Sequence, residues 1–220
     1  MAPRNNFDTE LENLNVDLIH MGSLVEQAIT ESIEALCSND KQAALEIIAQ
    51  DREIDELEKA IEARCLRLLM RQQPVARDLR AISTALKMIT DLERIGDQAA
   101  DIAELSSHFV HDDSLSIAAH IPEMGKIAVE MVKACIDAFV HNDLELAAST
   151  IQRDDEVDDL FNVVKNELIK TIQTEPDKAD LAINLLMVAK YLERIGDHAV
   201  NVCEWVTFYA TGLHKKTRIL

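Results

Sequence analysis

Leu92-Glu93-Arg94-Ile95-Gly96-Asp97 recurs as Leu192-Glu193-Arg194-Ile195-Gly196-Asp197, inside the longer pair DLERIGDQAADIAE (91–104) and YLERIGDHAVNVCE (191–204). A repeat of that length marks two copies of one unit, so the chemistry it carries is present twice. Its apolar residues, Leu92, Ile95, Ala99 and Ile102, then Leu192, Ile195, Ala199 and Val202, step by three and four, the seam of a helix packed on its neighbours. On such a helix Glu93, Asp97 and Asp101 lie at i, i+4 and i+8 of one face, and Glu193, Asp197 and Asn201 repeat the pattern. Each copy therefore presents a strip of oxygen ligands.

Working outward, apolar periodicity predicts helices over 8–38, 41–72, 76–109, 122–141, 144–174 and 178–211. They are separated at Ser38-Asn39-Asp40, Pro74, the His108 to Pro122 stretch, His141-Asn142-Asp143 and Pro176. The His108 to Pro122 stretch is the longest and least periodic, and it divides the chain into units 1–110 and 111–220. The second helices repeat as well: Asp51-Arg-Glu-Ile-Asp55-Glu-Leu57 matches Asp154-Asp-Glu-Val-Asp158-Asp-Leu160, and Asn39-Asp40 matches Asn142-Asp143. The expected fold is all-α, a pseudo-symmetric tandem of two three-helix bundles built from six long antiparallel helices. Composition agrees, since only 5 Gly and 4 Pro interrupt the 220 residues and aromatics are 4%.

A formal net charge of -18 makes nucleic acid an improbable partner, because neutralising phosphates needs clustered Lys and Arg. Cations and basic protein surfaces are the expected partners. Cys37, Cys65, Cys135 and Cys203 lie singly on apolar helical faces, which predicts buried free thiols. Met21, Met70, Met88, Met124, Met131 and Met187 read as core filler. No leader with a basic start and apolar centre precedes Phe7, and no apolar run reaches the ~20 residues a membrane span needs, so a cytoplasmic location is expected.

Folding the second and third helices into a hairpin decides where the acids meet. The Asp51/Asp55 and Glu93/Asp97 pairs are equidistant from Pro74, and Asp154/Asp158 and Glu193/Asp197 are equidistant from the Glu175–Pro176 turn. Equal rise on both arms then brings each Asp-x-x-x-Asp level with its Glu-x-x-x-Asp. Like charges so placed repel, and some cation should offset them. Arg94 and Arg194 are one candidate and a metal ion is the other. A lone Glu-x-x-x-Asp reads as solvated surface, whereas four such pairs in two matched grooves point to metal, and both readings stay open. The all-oxygen donor set suits Mg, Ca, Mn or oxygen-ligated Fe, with Zn on Cys and His poorly supported. His198 follows Asp197 on a different face. Gly96 and Gly196, costly in a helix interior, exclude a side chain for close packing or for room beside an ion. A di-metal oxidase would need Glu-x-x-His, which the chain lacks; Asp17-x-x-His20 is the nearest approach. No nucleophile motif is present, so the protein is not expected to be an enzyme.

Through both LERIGD copies, Met21-Gly22, Arg71-Gln-Gln-Pro74 with Asp78-Leu79-Arg80, and Asn201-Val-Cys-Glu204, the chain resembles the PhoU family of bacterial phosphate-signalling regulators, accessory proteins of the phosphate-specific ABC transporter. The resemblance implies multinuclear metal on Asp51, Asp55, Glu93 and Asp97, and on Asp154, Asp158, Glu193 and Asp197, with Asp101 and Asn201 as further ligands. It implies a negative regulator of the phosphate-starvation (Pho) response that also restrains phosphate uptake. As partners it implies the transporter's ATPase subunit, the phosphate-sensing histidine kinase and a second copy in a homodimer, with the membrane reached only through them.

Overall fold

The computed structural model describes residues 3–71, 75–109, 118–215 and 217–218. Six helices run in the order α1 (Pro3–Ser38), α2 (Lys41–Arg71), α3 (Ala76–Ser107), α4 (Ile121–His141), α5 (Leu144–Thr174) and α6 (Ala179–Thr211). A 3₁₀ turn, Pro176–Lys178, joins α5 to α6, and after α6 the two-residue strands β1 (Leu213–His214) and β2 (Thr217–Arg218) pair antiparallel. The turn placed at Pro74 lies outside the described residues, as does 110–117 of the expected boundary.

The repeated Asn-Asp dipeptide explains two of the joints. Asn39 and Asn142 adopt left-handed φ values of 53° and 51°, ending α1 and α4, a conformation Asn tolerates better than most residues. The next residue starts the following helix: Asp40 Oδ1 accepts from the Gln42 and Ala43 N–H groups at 3.0 and 3.1 Å, and Asp143 Oδ1 from those of Glu145 and Leu146 at 3.0 Å. Such caps contribute about 1 kcal/mol each.

Within each half the three helices pack on one another, α1 with α2 and α3, α4 with α5 and α6. The chain is thus a tandem of two three-helix bundles. The halves meet along α3 with α6 and α1 with α4, and one hydrophobic cluster, from Phe7 to Val206, runs through both. All eight seam residues of the two LERIGD helices are fully buried. Where α1 crosses α4, Gly22 receives Ile136 and Gly125 receives Ile33. A Cβ on either glycine would stand 2.8 Å from the isoleucine Cγ1, so each half offers one hollow and one knob to the other.

Three side chains correct the sequence reading. Cys37 is exposed, unlike the other three cysteines; it lies in the last turn of α1 on the side away from the buried Ala35 and Leu36. Met70, in the last turn of α2 beside the buried Leu68, is 85% exposed, and Met187 is 40% exposed on α6.

Candidate metal centre

Both hairpins close in the expected register. In the first, oxygen atoms of Asp51 and Asp55 on α2 and of Asp97 on α3 lie within 4.8 Å of one another. Placing those charges together while partly removing them from water raises the cost of ionisation. Burial first, then the charges of Asp97, Asp55 and Asp101, push the Asp51 carboxyl up to about 6. Glu93 is raised by burial and by Asp97. Arg94 Nη1 donates to Asp97 at 2.9 Å and its Nε stands 3.4 Å from Glu93, so this arginine, itself half in solvent, offsets part of the charge. A cavity of about 110 Å³, bordered by Leu24, Gln27, Ile47 and Gly96, reaches Asp51 from the α1 side.

The second hairpin repeats the acids but not their surroundings. Asp154 is pushed up to about 6 by burial and by Asp197, Asp158 and Glu193. Asp158 and Asp197 are raised by burial and by Glu193. Here the offsetting cation is Lys190, whose Nζ donates to Glu193 and lies 5.5 Å from the Phe161 ring centre. Among the described residues, only the first hairpin brings three carboxylates within 4.8 Å of one another.

One acid of the first groove escaped the sequence reading. Glu58 is half-buried and its carboxyl is raised by burial and by Glu62 and Asp55. It follows Asp51 and Asp55 at i+7 and i+3, a same-face spacing that marks it in retrospect. Phe161 holds the corresponding place in the second half, and Thr90 stands where Lys190 does. The first groove therefore gathers five acids with Arg94 and the more exposed Lys59, the second four acids around one lysine.

The two outlying candidates go elsewhere. Asn201 does not join the second groove; its amide donates to Asp91 Oδ1 at 3.2 Å, and His198 Nδ1 lies 2.9 Å from the same oxygen. Asp101 contributes to the charge around Asp51 but also accepts a hydrogen bond from the Tyr191 hydroxyl, with Arg194 nearby. Both contacts join α3 to α6. The outward-facing ends of the oxygen strips tie the halves together.

The glycines differ as well. A Cβ at Gly96 would meet Ile54 Cδ1 at 3.0 Å and Asp51 Oδ1 at 3.4 Å, so that glycine serves packing against α2. At Gly196 the limiting neighbour is Asp154 Oδ1 at 2.7 Å, with nothing else inside 3.7 Å. Gly196→Ala is accordingly expected to leave the melting temperature within a few degrees, since the ~1 kcal/mol gain in helix propensity offsets the contact, while swinging Asp154 out of the groove and lowering metal content there. Calorimetry beside elemental analysis checks this; unaltered metal content would show that Asp154 holds none.

Comparison with known proteins follows this geometry. The PhoU domain family model matches residues 18–106 and again 121–206, one match per half. A phosphate-specific transport system accessory protein PhoU homolog of Clostridium acetobutylicum is 41% identical over 207 residues, 94% of each chain. The crystal structure of PhoU from Pseudomonas aeruginosa superposes with a TM-score of 0.90 at 33% identity, over 94% of this chain and all of that one. The phosphate transport system regulatory protein PhoU from Streptococcus pneumoniae gives 0.83 at 29%, over 94% and 98%.

Proposed function

This chain belongs to the PhoU family, and from that premise we propose that it is an accessory protein of a phosphate transport system that works as a non-enzymatic, metal-loaded adaptor. In this reading it restrains the phosphate-starvation response and phosphate uptake, meeting the transporter through its ATPase subunit and the sensor histidine kinase through a cytoplasmic face, as a homodimer. No helix among the described residues is long and apolar enough to cross a membrane; in this reading the membrane is reached only through these partners. Exposed apolar side chains on α5 and α6, Ile169, Ile172, Ile183 and Met187, supply the surface such docking uses.

The observation that carries the metal part is the convergence of Asp51, Asp55 and Asp97. Arg94 reaches Asp97 and Lys59 reaches Asp55 from the solvent side, which leaves net negative charge on the three carboxylates that a cation between them would offset. Asp51, Asp55, Glu93 and Asp97 would hold metal in the first half and Asp154, Asp158, Glu193 and Asp197 in the second, with Glu58 available to the first alone. Asp101 remains at the margin of the first set, and Asn201 is engaged with Asp91. Mg, Mn, Ca, Fe or Zn on carboxylates fits the donor set. A bound cation would supply positive charge that offsets the paired acids and an open coordination face for an anionic group. The unequal acid counts support different metal complements in the two halves.

The adaptor reading is tested by deleting the gene and by pull-down from phosphate-replete cells. Constitutive expression of starvation genes on deletion, with kinase or ATPase recovered on the tagged protein, is the expected result. Normal repression with neither partner recovered would leave a metal buffer as the better account.

A further inference from the structure

The chain carries 40 Asp and Glu against 22 Lys and Arg, so an arginine left unpaired is informative. Arg52, Arg64, Arg94 and Arg153 each engage a carboxylate. Arg67, Arg77, Arg80 and Arg194 do not, having no acid within 4 Å among the described residues, and of these four Arg77 and Arg80, in the first two turns of α3, share one cavity. The two border it, at about 180 Å³, with Asn142, Tyr209 and Ala210. It lies where the start of α3 in the first half meets the ends of α4 and α6 in the second.

The donors there are unspent. Arg80 Nε donates to the Tyr209 carbonyl at 3.2 Å, which fixes the guanidinium plane and leaves its two terminal nitrogens without a partner among the described residues. Tyr209 is steadied by Phe139, ring centres 6.3 Å apart, and its hydroxyl has no described partner. The exposed Asn142 side-chain amide likewise has no described partner, its backbone left-handed at the end of α4. Asp143, the adjacent acid, is turned away to cap α5, and Asp78 beside Arg77 pairs with neither arginine.

The charge balance favours an anion. Helix ends carry about half a charge each, negative at the C-termini of α4 and α6 and positive at the start of α3. Two guanidiniums outweigh that sum, and a planar fork with two free terminal nitrogens suits a tetrahedral oxyanion. The cavity holds several waters' worth of space, water's share of the liquid being about 30 Å³. That is room for one small oxyanion keeping part of its hydration.

We propose that this cavity is a phosphate-type oxyanion site, with Arg77 and Arg80 as its charged donors and Asn142 and the Tyr209 hydroxyl as its neutral ones, taking inorganic phosphate or the head of a small phosphomonoester. It is separate from the carboxylate grooves: Asp97 lies seventeen residues beyond Arg80 on α3, roughly 25 Å at 1.5 Å per residue. The site does not rest on the metal reading. A ligand there would bridge the two halves at their junction.

Equilibrium dialysis of the full-length, chelator-treated protein against radiolabelled inorganic phosphate, at fixed ionic strength in chloride, tests it. One saturable site per chain is expected. Arg77→Gln and Arg80→Gln should each weaken it at least tenfold, and Asp97→Ala with Asp197→Ala should leave it intact. Arg77 is exposed and makes no described contact, so its variant tests the site even if Arg80→Gln disturbs the junction. Competition with O-phosphoserine separates the sources: displacement more effective than by phosphate itself assigns a phosphomonoester, less effective assigns the free ion. Absence of saturable binding, unchanged affinity in Arg77→Gln, or loss in the Asp97/Asp197 variant would overturn the proposal.

Discussion

Tight metal binding is expected to vanish when Asp97 and Asp197 are both replaced by alanine, and to fall by about half when only one is. Each aspartate faces the α2 or α5 acids across its groove, and removing it leaves the opposing pair too few oxygens to hold an ion against water. The fold should survive. Asp97 is about one-third exposed and its partner Arg94 about half, so the lost ion pair contributes only about 0.5 kcal/mol, and relief of repulsion offsets it. Elemental analysis of protein purified without added metal, with circular dichroism as the control, makes the measurement. Full metal content in the double variant would remove the grooves from the proposal.

The second large effect is a reversal of pH dependence by metal. Asp51 and Asp154 are both held near 6 in the folded chain, above the ordinary 3.8. A carboxyl whose folded pKa is raised binds its proton more tightly in the native state. Its contribution to stability is therefore fully present below about 3.8 and is lost as pH rises through about 6. Both groups are partly solvated, so the shift translates into only about 1 kcal/mol each after screening. At pH 5.5 only about a quarter of that gain is present, so with chelator the protein should melt roughly 1–2 °C higher at pH 5.5 than at pH 7.5. Metal needs the ionised forms, and at a hundred times its dissociation constant an ion adds ~2.7 kcal/mol per site. With Mn present the order should invert, pH 7.5 becoming the more stable condition. Parallel melting curves with and without Mn across this range would show that the ion does not sit on these acids. An equal Mn shift in the Asp97→Ala/Asp197→Ala variant would identify nonspecific screening.

What could be read without coordinates was what obeys a single helix or a single hairpin. Helical period placed Leu92, Ile95, Leu192 and Ile195 in the core, and equal arm lengths placed Asp51 and Asp55 opposite Asp97. Contacts between halves obey neither rule. Asn201 looked like a groove ligand because it extends the i, i+4 strip, yet a helix keeps turning relative to a fixed neighbour. After two turns from Glu193 that position has rotated onto α3 and Asp91. Asp101 drifts likewise toward Tyr191. Nothing in the sequence marks Arg77 and Arg80 as members of one cluster with Asn142 and Tyr209, which are more than sixty residues away in the chain. Only the packing of α3 against α6, beside the end of α4, assembles them. Gly196 was ambiguous for another reason: spacing cannot say whether the neighbour it makes room for is a methyl group or a carboxylate.

The reciprocal seating of Ile136 on Gly22 and Ile33 on Gly125 makes the junction self-matching, as at the two-fold axis of a symmetric dimer. A first half alone would carry both the hollow and the protrusion needed to recognise its own twin. Joining two such units in one polypeptide replaces an encounter between molecules by one within a molecule, at an effective concentration that a separate copy seldom reaches. Once partnership is guaranteed by the chain, the two surfaces are free to diverge. Asp91 opposite His198 and Asn201, against Tyr191 opposite Asp101, is that divergence: pairings that only one particular half can satisfy, turning an interface open to any copy into one that accepts its own tethered mate.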